Sequence, residues 1–403
     1  MRKILVLFLC AALLFSAGCS KQTSNTDTPA NSSVSSDSNS SKATVTFASP
    51  TRTFNKSVAT PRTLQNTYSC LTKDKKLNIV YIGGSVTVGT GGSKGGWRTA
   101  TTEWFKSEFP DAEITDFNAA IGGTSSMWGL FRTERDVIEQ APDLVFIEYA
   151  INDLSLTGGQ SASLVDAMVR KINTALPYTD IVLVFTTNKG IYGKDSQNLM
   201  AHRDVAKYYG LPYIDVGKKL VEVIENEGNT WDTYMSDWSH PNNEGYRVYA
   251  DEVIKNLKTL FDEVEAKSLS AKIAHKISET PYTTNTPSKV QVIWAEDIPH
   301  DENWKLDTTV DEYMRYYSAI VARKSGCTIT LEFEGSMVGY VGYSKKNAAV
   351  EVSIDGGNEK TITPSTDNFT EELLYDDLAP GKHTLTITYK GPAYCIIGAL
   401  LIG

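Results

Sequence analysis

The chain has 403 residues, with 39 basic against 48 acidic side chains, a formal net charge of −9 and 41% hydrophobic residues. That length and apolar content can fill the cores of two ordinary domains. An acidic chain without a basic cluster argues against nucleic acid as a partner, and its cysteines show no metal-ligand spacing, so no metal site is expected.

In chain order, Met1-Arg2-Lys3 leads into an apolar run over residues 4–15, then Ser16-Ala17-Gly18-Cys19. A basic start, a short apolar stretch and small residues describe a secretory signal over 1–18, too short to span a membrane. The cysteine directly after Ala-Gly resembles the lipobox of bacterial lipoproteins, although Ser16 stands where that pattern prefers leucine. The resemblance implies a lipidated Cys19 and an extracytoplasmic chain held to the bacterial cell membrane by its lipid alone. Residues 19–44 are nearly all small or polar, without an aromatic side chain. They cannot bury enough surface to offset their ordering entropy and read as a disordered tether.

Residues 45–266 alternate strand-like and helix-like segments. Strands are expected at 77–83, 113–118, 144–149, 181–186 and 213–216, and helices at 97–108, 126–140, 162–175 and 196–209. A last helix follows Pro241-Asn242-Asn243-Glu244. This alternation predicts an α/β fold, a flavodoxin-like three-layer α/β/α parallel sheet. Right-handed crossovers then bring the segments that follow the strands to one edge. Residues 267–287 are polar and read as a linker. Over 288–403 the pattern turns to period two: Cys327, Ile329, Leu331 and Phe333 share one face, and His383, Leu385, Ile387 and Tyr389 another. This predicts an all-β sandwich. Cys327 and Cys395 could pair there or remain buried thiols.

Four segments fall at the edge of the predicted sheet. The first strand ends in Gly83-Gly84-Ser85, the second leads into Ile121-Gly122-Gly123, and the third into Ala150-Ile151-Asn152-Asp153. Asp237-Trp238-Ser239-His240 precedes the last helix. A serine hydroxyl needs a base to become a nucleophile, and His240 with Asp237 supplies one. Taken in order, Ser85, Gly122, Asn152 and His240 resemble the four namesake residues of the SGNH hydrolases, the Gly-Asp-Ser-Leu esterase/lipase superfamily. The resemblance covers about 190 residues, in line with one domain of ordinary size. It implies Ser85 as nucleophile, His240 as base, Asp237 as its orienter, and an oxyanion hole made by Ser85, Gly122 and Asn152, with no cofactor. Two positions depart from the pattern: Gly84 replaces aspartate and Ala150 replaces glycine.

The expected function is a serine esterase that removes acyl groups, acetyl above all, from cell-surface or extracellular carbohydrate. A lysophospholipase or general acyl-ester hydrolase is the enzymatic alternative, and a non-catalytic carbohydrate-binding surface lipoprotein the other. Partners would be an acylated carbohydrate or small ester, and the membrane only through the lipid. The glycine-rich loop 89–96 lacks the Gly-Lys-Ser/Thr ending of a phosphate cradle and reads as cleft rim. Glu148, at the end of an apolar strand, is expected to pair with Arg98 or Arg132. His202, His275, His300 and His383 have no evident partners and read as structural or exposed. Trp294, Trp304, Tyr313, Tyr316, Tyr317, Tyr340 and Tyr343 could form a sugar-stacking surface on the β-domain or belong to its packing.

Overall fold

A computed structural model of the chain describes residues 52–268, 271–284, 286–287, 289–308, 318–344, 348–364, 370–391 and 395–403. The signal at 1–18, Cys19, the tether at 19–44, Tyr313, Tyr316 and Tyr317 lie outside them. Strands β1 (Lys76–Gly83), β2 (Glu113–Asn118), β3 (Leu144–Glu148), β4 (Asp180–Phe185) and β5 (Tyr213–Asp215) fall within one residue of the expected bounds. They form a parallel sheet in the order β2-β1-β3-β4-β5, the flavodoxin-like arrangement. Period two shows directly in the packing. Val80, Ile82, Val145 and Ile147 enter one core, while Ile79, Tyr81, Leu144 and Phe146 enter the other. A strand buried on both faces must be apolar throughout, which is why β1, β3 and β4 read as continuous hydrophobic runs.

The helices described are α1 (Gln65–Ser69), α2 (Ser85–Val88), α3 (Gly96–Glu108), α4 (Ser126–Phe131), α5 (Thr133–Asp136), α6 (Gly158–Ala175), α7 (Gln197–Tyr209), α8 (Val216–Glu227), α9 (Trp231–Tyr234) and α10 (Asn243–Ala266). Side chains of α4, α6 and α7 cover one face of the sheet, and those of α3, α8 and α10 the other. The single helix expected over 126–140 is broken at Arg132 and Val137. Arg132 is buried and occupied on three sides: it pairs with Asp136 at 2.7 Å, donates to Tyr149 Oη at 2.8 Å, and donates to the Ala119 carbonyl. Those long-range bonds outweigh the few tenths of a kcal/mol per residue that helix propensity supplies.

The described residues of the 267–287 connection are fastened to the α/β layer. Asn66 exchanges hydrogen bonds with Ile273 at 2.8 Å in both directions. The His275 ring meets Asp180 at 2.7 Å, Arg170 donates to the Ser278 carbonyl at 2.7 Å, and Thr283 N–H donates to Asp166 at 3.0 Å. Polar composition made this segment look free; its bonds go to side chains far away in sequence, the buried Asn66, Asp166 and Asp180 among them.

Beyond it lie β6 (Gln291–Trp294), β7 (Trp304–Asp307), β8 (Ala319–Ala322), β9 (Thr328–Gly335), β10 (Val338–Ser344), β11 (Ala349–Ile354), β12 (Lys360–Ile362), β13 (Thr370–Tyr375), β14 (Gly381–Gly391) and β15 (Cys395–Ile402). One antiparallel sheet runs β13-β10-β15-β8-β7, with β6 also on β15, and a second runs β12-β11-β14-β9. Ile329, Leu331, Phe333, Leu385, Ile387 and Tyr389 fill the core between them, as the alternation predicts. Cys327 and Cys395 are free buried thiols in that core.

The first of these sheets is buried on both faces. Ile397 and Leu400 of β15 enter the sandwich core, whereas Ile396, Ala399 and Leu401 join the core containing α4 and α6. Trp128 of α4 meets Trp294 edge-on at 6.3 Å between centroids. Trp304 and Tyr340 are buried, and Trp294 and Tyr343 pack against the shared core. The four described aromatics therefore serve packing rather than an exposed sugar platform.

Trp128→Ala should lower the unfolding free energy by about 3–5 kcal/mol, the usual cost of an aromatic-sized cavity, measured by urea denaturation.

Candidate active site

The three strand-following segments meet because β1, β2 and β3 are adjacent and parallel. β1 ends at Gly83, and Ser85 opens α2 at its carboxyl edge. After β2 the chain keeps pairing with β1: Ala119 N–H donates to the Tyr81 carbonyl at 2.8 Å and Ile121 N–H to that of Gly83 at 3.0 Å. This carries Gly122 alongside Ser85; a Cβ built on Gly122 would lie 3.6 Å from the Ser85 Cβ. After β3, Asn152 and Asp153 turn back on the Tyr149 carbonyl, at 2.8 and 3.1 Å.

The histidine arrives on a turn. Asp237 Oδ1 accepts the N–H groups of Ser239 and His240, both at 2.8 Å, which folds the two side chains against each other. His240 Nδ1 lies 2.7 Å from Asp237 Oδ2, and Nε2 lies 2.8 Å from Ser85 Oγ. A carboxylate only accepts, so the proton sits on Nδ1 and leaves Nε2 free to receive the serine proton. Burial raises the Asp237 carboxyl, but the bonds from Ser239 N–H and from the His240 ring and N–H outweigh it and hold it below the usual range. The 89–96 loop backs this turn as a rim. Gly91 sits at φ +89°, where a Cβ would meet the Pro241 carbonyl at 2.7 Å and the His240 Cβ at 3.0 Å, so only glycine fits.

The candidate oxyanion donors are unspent. Ser85 N–H and Gly122 N–H have no backbone acceptor among the described residues, and the Asn152 amide is unspent, its Oδ1 buried without a partner. Gly84 explains its own departure from the family pattern. A Cβ there would lie 2.4–2.6 Å from the Asn152 amide atoms, so this chain brings its asparagine in across a bare Cα.

Two buried carboxylates lie beneath. Glu148 is fully buried and accepts from Thr87 Oγ1 at 2.8 Å and Thr186 Oγ1 at 2.9 Å. The expected ion pair is not formed: Arg98 pairs with Asp116 at 2.8 Å and Arg132 with Asp136 at 2.7 Å. Desolvation, only partly offset by those hydroxyls, pushes the Glu148 carboxyl up to about 7. Asp153 accepts from Ser126 N–H at 2.8 Å, Ser126 Oγ at 2.7 Å, Ser161 Oγ at 2.6 Å and the His202 ring at 2.9 Å. His202 and His275 are buried against Asp153 and Asp180, His383 pairs with Asp355, and His300 is exposed, so they stand as structural or exposed residues, with acid partners that sequence did not reveal. Asp153 and His202 went unread because their partners come from separate helices, and no local spacing signals that.

Beside Asn152 opens a cavity of about 390 Å³ lined by Gly123, Ser155, Gln160, Thr370 and Glu372, among others. Its far wall is β13, so the β-domain borders the site. Glu371 of β13 also lines it and accepts the Ser125 N–H, and burial pushes its carboxyl up to about 7.

Residues 81–248 match the GDSL-like Lipase/Acylhydrolase family. The domain belongs to that family. It is a carboxylic ester hydrolase domain, and the matched span contains Ser85, Gly122, Asn152, Asp237 and His240. Among solved structures the chain is similar to a two-domain esterase active on acetylated mannans, co-crystallised with mannopentaose. The TM-score is 0.72 at 22% identity, covering 85% of this chain and 96% of that one. The likeness extends the shared fold through the β-domain. A lesser likeness is to an acetyl xylan esterase from Geobacillus stearothermophilus, with a TM-score of 0.38 at 20% identity over 45% of this chain and 94% of that one. No curated protein matches the chain by sequence.

Gly84→Ala should displace the Asn152 amide and lower kcat on an aryl acetate about 100-fold with KM little changed, the cost of one oxyanion donor. Wild-type kcat in that variant would refute the close-approach argument. Glu148 gives a pH prediction. Its folded-state carboxyl stands above its unfolded value of 4.5, so its contribution to stability is complete below pH 4.5 and lost as pH rises through about 7. Glu148→Gln should remove this dependence, with wild type losing roughly 3 kcal/mol more than the variant between pH 4.5 and 8 in denaturation curves.

Proposed function

We propose that this protein is a serine esterase that removes acetyl groups from carbohydrate, with Ser85 as nucleophile, His240 as proton carrier and Asp237 as its orienter. The observation that carries the reading is the continuous line Ser85 Oγ–His240 Nε2, 2.8 Å, and His240 Nδ1–Asp237 Oδ2, 2.7 Å, beside three unspent donors. Ser85 Oγ attacks the ester carbonyl while its proton passes to His240 Nε2, and the imidazolium is stabilised by Asp237. The carbonyl oxygen becomes an oxyanion held by Ser85 N–H, Gly122 N–H and the Asn152 amide. Collapse breaks the C–O bond, and the departing sugar oxygen takes the proton from His240. Water then repeats the sequence on the acyl-serine, releasing the carboxylic acid and restoring Ser85.

Three features support a sugar ester over a lipid one. The adjoining cavity has mainly polar walls, including Ser155, Gln160, Thr370 and Glu372. Trp238, between Asp237 and His240 in the chain, is 55% exposed and rests on Gly190, where a Cβ would meet its ring at 2.6 Å. An exposed aromatic face on the turn that carries His240 would suit stacking against a sugar ring. The two-domain fold is shared with an esterase active on acetylated mannans. Lipidation at Cys19 would place this activity at the cell surface, as part of the same proposal.

Ser85→Ala should abolish hydrolysis of an aryl acetate, a fall of at least about 1,000-fold, and Asn152→Ala should cost about 100-fold. Acetate release should be faster from acetylated mannan oligosaccharides than fatty-acid release from lysophosphatidylcholine. Hydrolysis unchanged in Ser85→Ala would sink the catalytic assignment; the reverse substrate order would sink the carbohydrate one.

A further inference from the structure

The loop bearing Gly122 is held at two points. At its start, Ile121 N–H is bonded to the Gly83 carbonyl at 3.0 Å. Between the anchors run Gly122, Gly123 at φ +76°, and Thr124, whose hydroxyl returns to the Ile121 carbonyl at 2.9 Å. Two adjacent glycines restrain the backbone weakly, so the direction of the Gly122 N–H depends on what holds the far end. There, two consecutive N–H groups are each taken by a carboxylate. Ser126 N–H goes to Asp153 at 2.8 Å, from the same domain. Ser125 N–H goes to Glu371, 246 residues away on β13 of the β-domain.

The segment that follows is held from the same side. All six residues of α4 are buried, and Trp128 packs edge-on against Trp294 of β6. The Arg135 guanidinium lies 5.8 Å from the centre of the same Trp294 ring. Arg52, ahead of the first strand, pairs with Asp376 just after β13 at 3.2 Å. The strand that carries Glu371 is thereby fixed against the hydrolase at its end as well as through its side chain.

We propose that Glu371 is a positioning residue of the esterase: by accepting the Ser125 N–H it fixes the oxyanion loop, which makes the β-domain part of the catalytic unit. This rests on the reading of Ser85 and His240 given above. Glu371 touches no reacting atom. It acts through Ser125 on the direction of the Gly122 N–H, and a donor displaced by a fraction of an ångström loses much of its worth to the transition state. The consequence concerns the chemical step more than sugar recognition, so it should appear with a substrate that carries no sugar.

The test is steady-state kinetics of full-length Glu371→Gln, Glu371→Asp and Glu371→Ala on 4-nitrophenyl acetate, below the melting temperature of each variant. The amide oxygen of glutamine can still accept the Ser125 N–H. Aspartate, one methylene shorter, draws the acceptor back, and alanine removes it. The expected result is kcat within about threefold of wild type for Gln, lowered about fivefold or more for Asp, and lowered about 10–100-fold for Ala, with KM within about twofold throughout. A kcat for Ala equal to wild type with a lowered melting temperature would make Glu371 a structural staple only and overturn the proposal. So would a Gln variant as impaired as Ala, because then accepting the N–H is not what matters. If the Ala variant fails to fold, the Asp and Gln pair decides: equal kcat in Asp, Gln and wild type overturns the idea. Ser85→Ala runs alongside. If it retains wild-type hydrolysis, the esterase reading fails by itself, whatever the Glu371 variants do.

Discussion

Everything at the site hangs on the parallel alignment of β1, β2 and β3. Parallel neighbours end at the same edge, so the residues after each strand meet there without any contact between them in sequence. Ser85, Gly122 and Asn152 arrive by that route, and only the histidine turn needs a separate device, the Asp237 carboxylate folded over two N–H groups. The same geometry sets an electrostatic cost. Strand ends packed this tightly leave Glu148 and Asp153 inside the protein with no basic side chain of Lys or Arg against either among the described residues. Hydroxyls and N–H groups stabilise them instead, joined at Asp153 by the His202 ring. Each of those donors, Thr87, Thr186, Ser126 and Ser161, belongs to an element next to the site, so the carboxylates tie the elements together. A buried carboxylate satisfied by several donors acts as a hub because each of its lone pairs selects one geometry.

Much of this could be read from the amino acids. The sheet of the first domain was legible because strands buried on both faces must be apolar along their length. The second domain was legible because its β9 and β14 strands have one buried face and alternate. Three of the four candidate segments stood out because they follow strands of one parallel sheet, and the fourth because Asp237 and His240 stand three residues apart before the last helix. Long-range partners were not. Arg98 and Arg132 looked available to Glu148, but each is taken by an acid nearer to it, Asp116 and Asp136. The helix α8, which starts at Val216, was hidden because that valine extends the apolar β5 pattern. Helix 126–140 was read whole because its period continues through Arg132, but the chain breaks there, where that arginine takes tertiary partners, and again at Val137. In these cases the outcome turned on which partner a side chain takes, 4 residues away for Arg132 with Asp136 and 18 for Arg98 with Asp116, and hydrophobic periodicity does not report that choice.

The aromatics of the β-domain follow the same logic. Tryptophan and tyrosine on an alternating strand look equally suited to an exposed platform and to a core, since period two says only that the faces differ. Which face meets water depends on whether the sheet has a second neighbour. Here it does: β15 is buried along its whole length, with one side in the sandwich and the other against α4 and α6. Trp294 and Tyr343 are consumed by that contact, leaving Trp238 of the hydrolase as the exposed ring nearest to the histidine in sequence.

A sheet apolar on both faces cannot be a detachable module. Residues such as Ile396, Ala399 and Leu401 would meet water if the hydrolase were removed, and each buried isoleucine or leucine is worth roughly 1.5–3 kcal/mol of burial. The connection over 271–284 is consistent with this, bonded along its course to Asn66, Asp180, Asp166 and Arg170 rather than left as a hinge. Once a second domain is held that firmly, its edge becomes a rigid surface from which a side chain can restrain a neighbour. A two-glycine turn benefits from such restraint more than any other part of the site. Its own backbone supplies little stiffness, and fixing each residue costs about 1–2 kcal/mol that local bonds alone repay poorly. The 122–126 loop is therefore the place where the two domains meet beside Ser85.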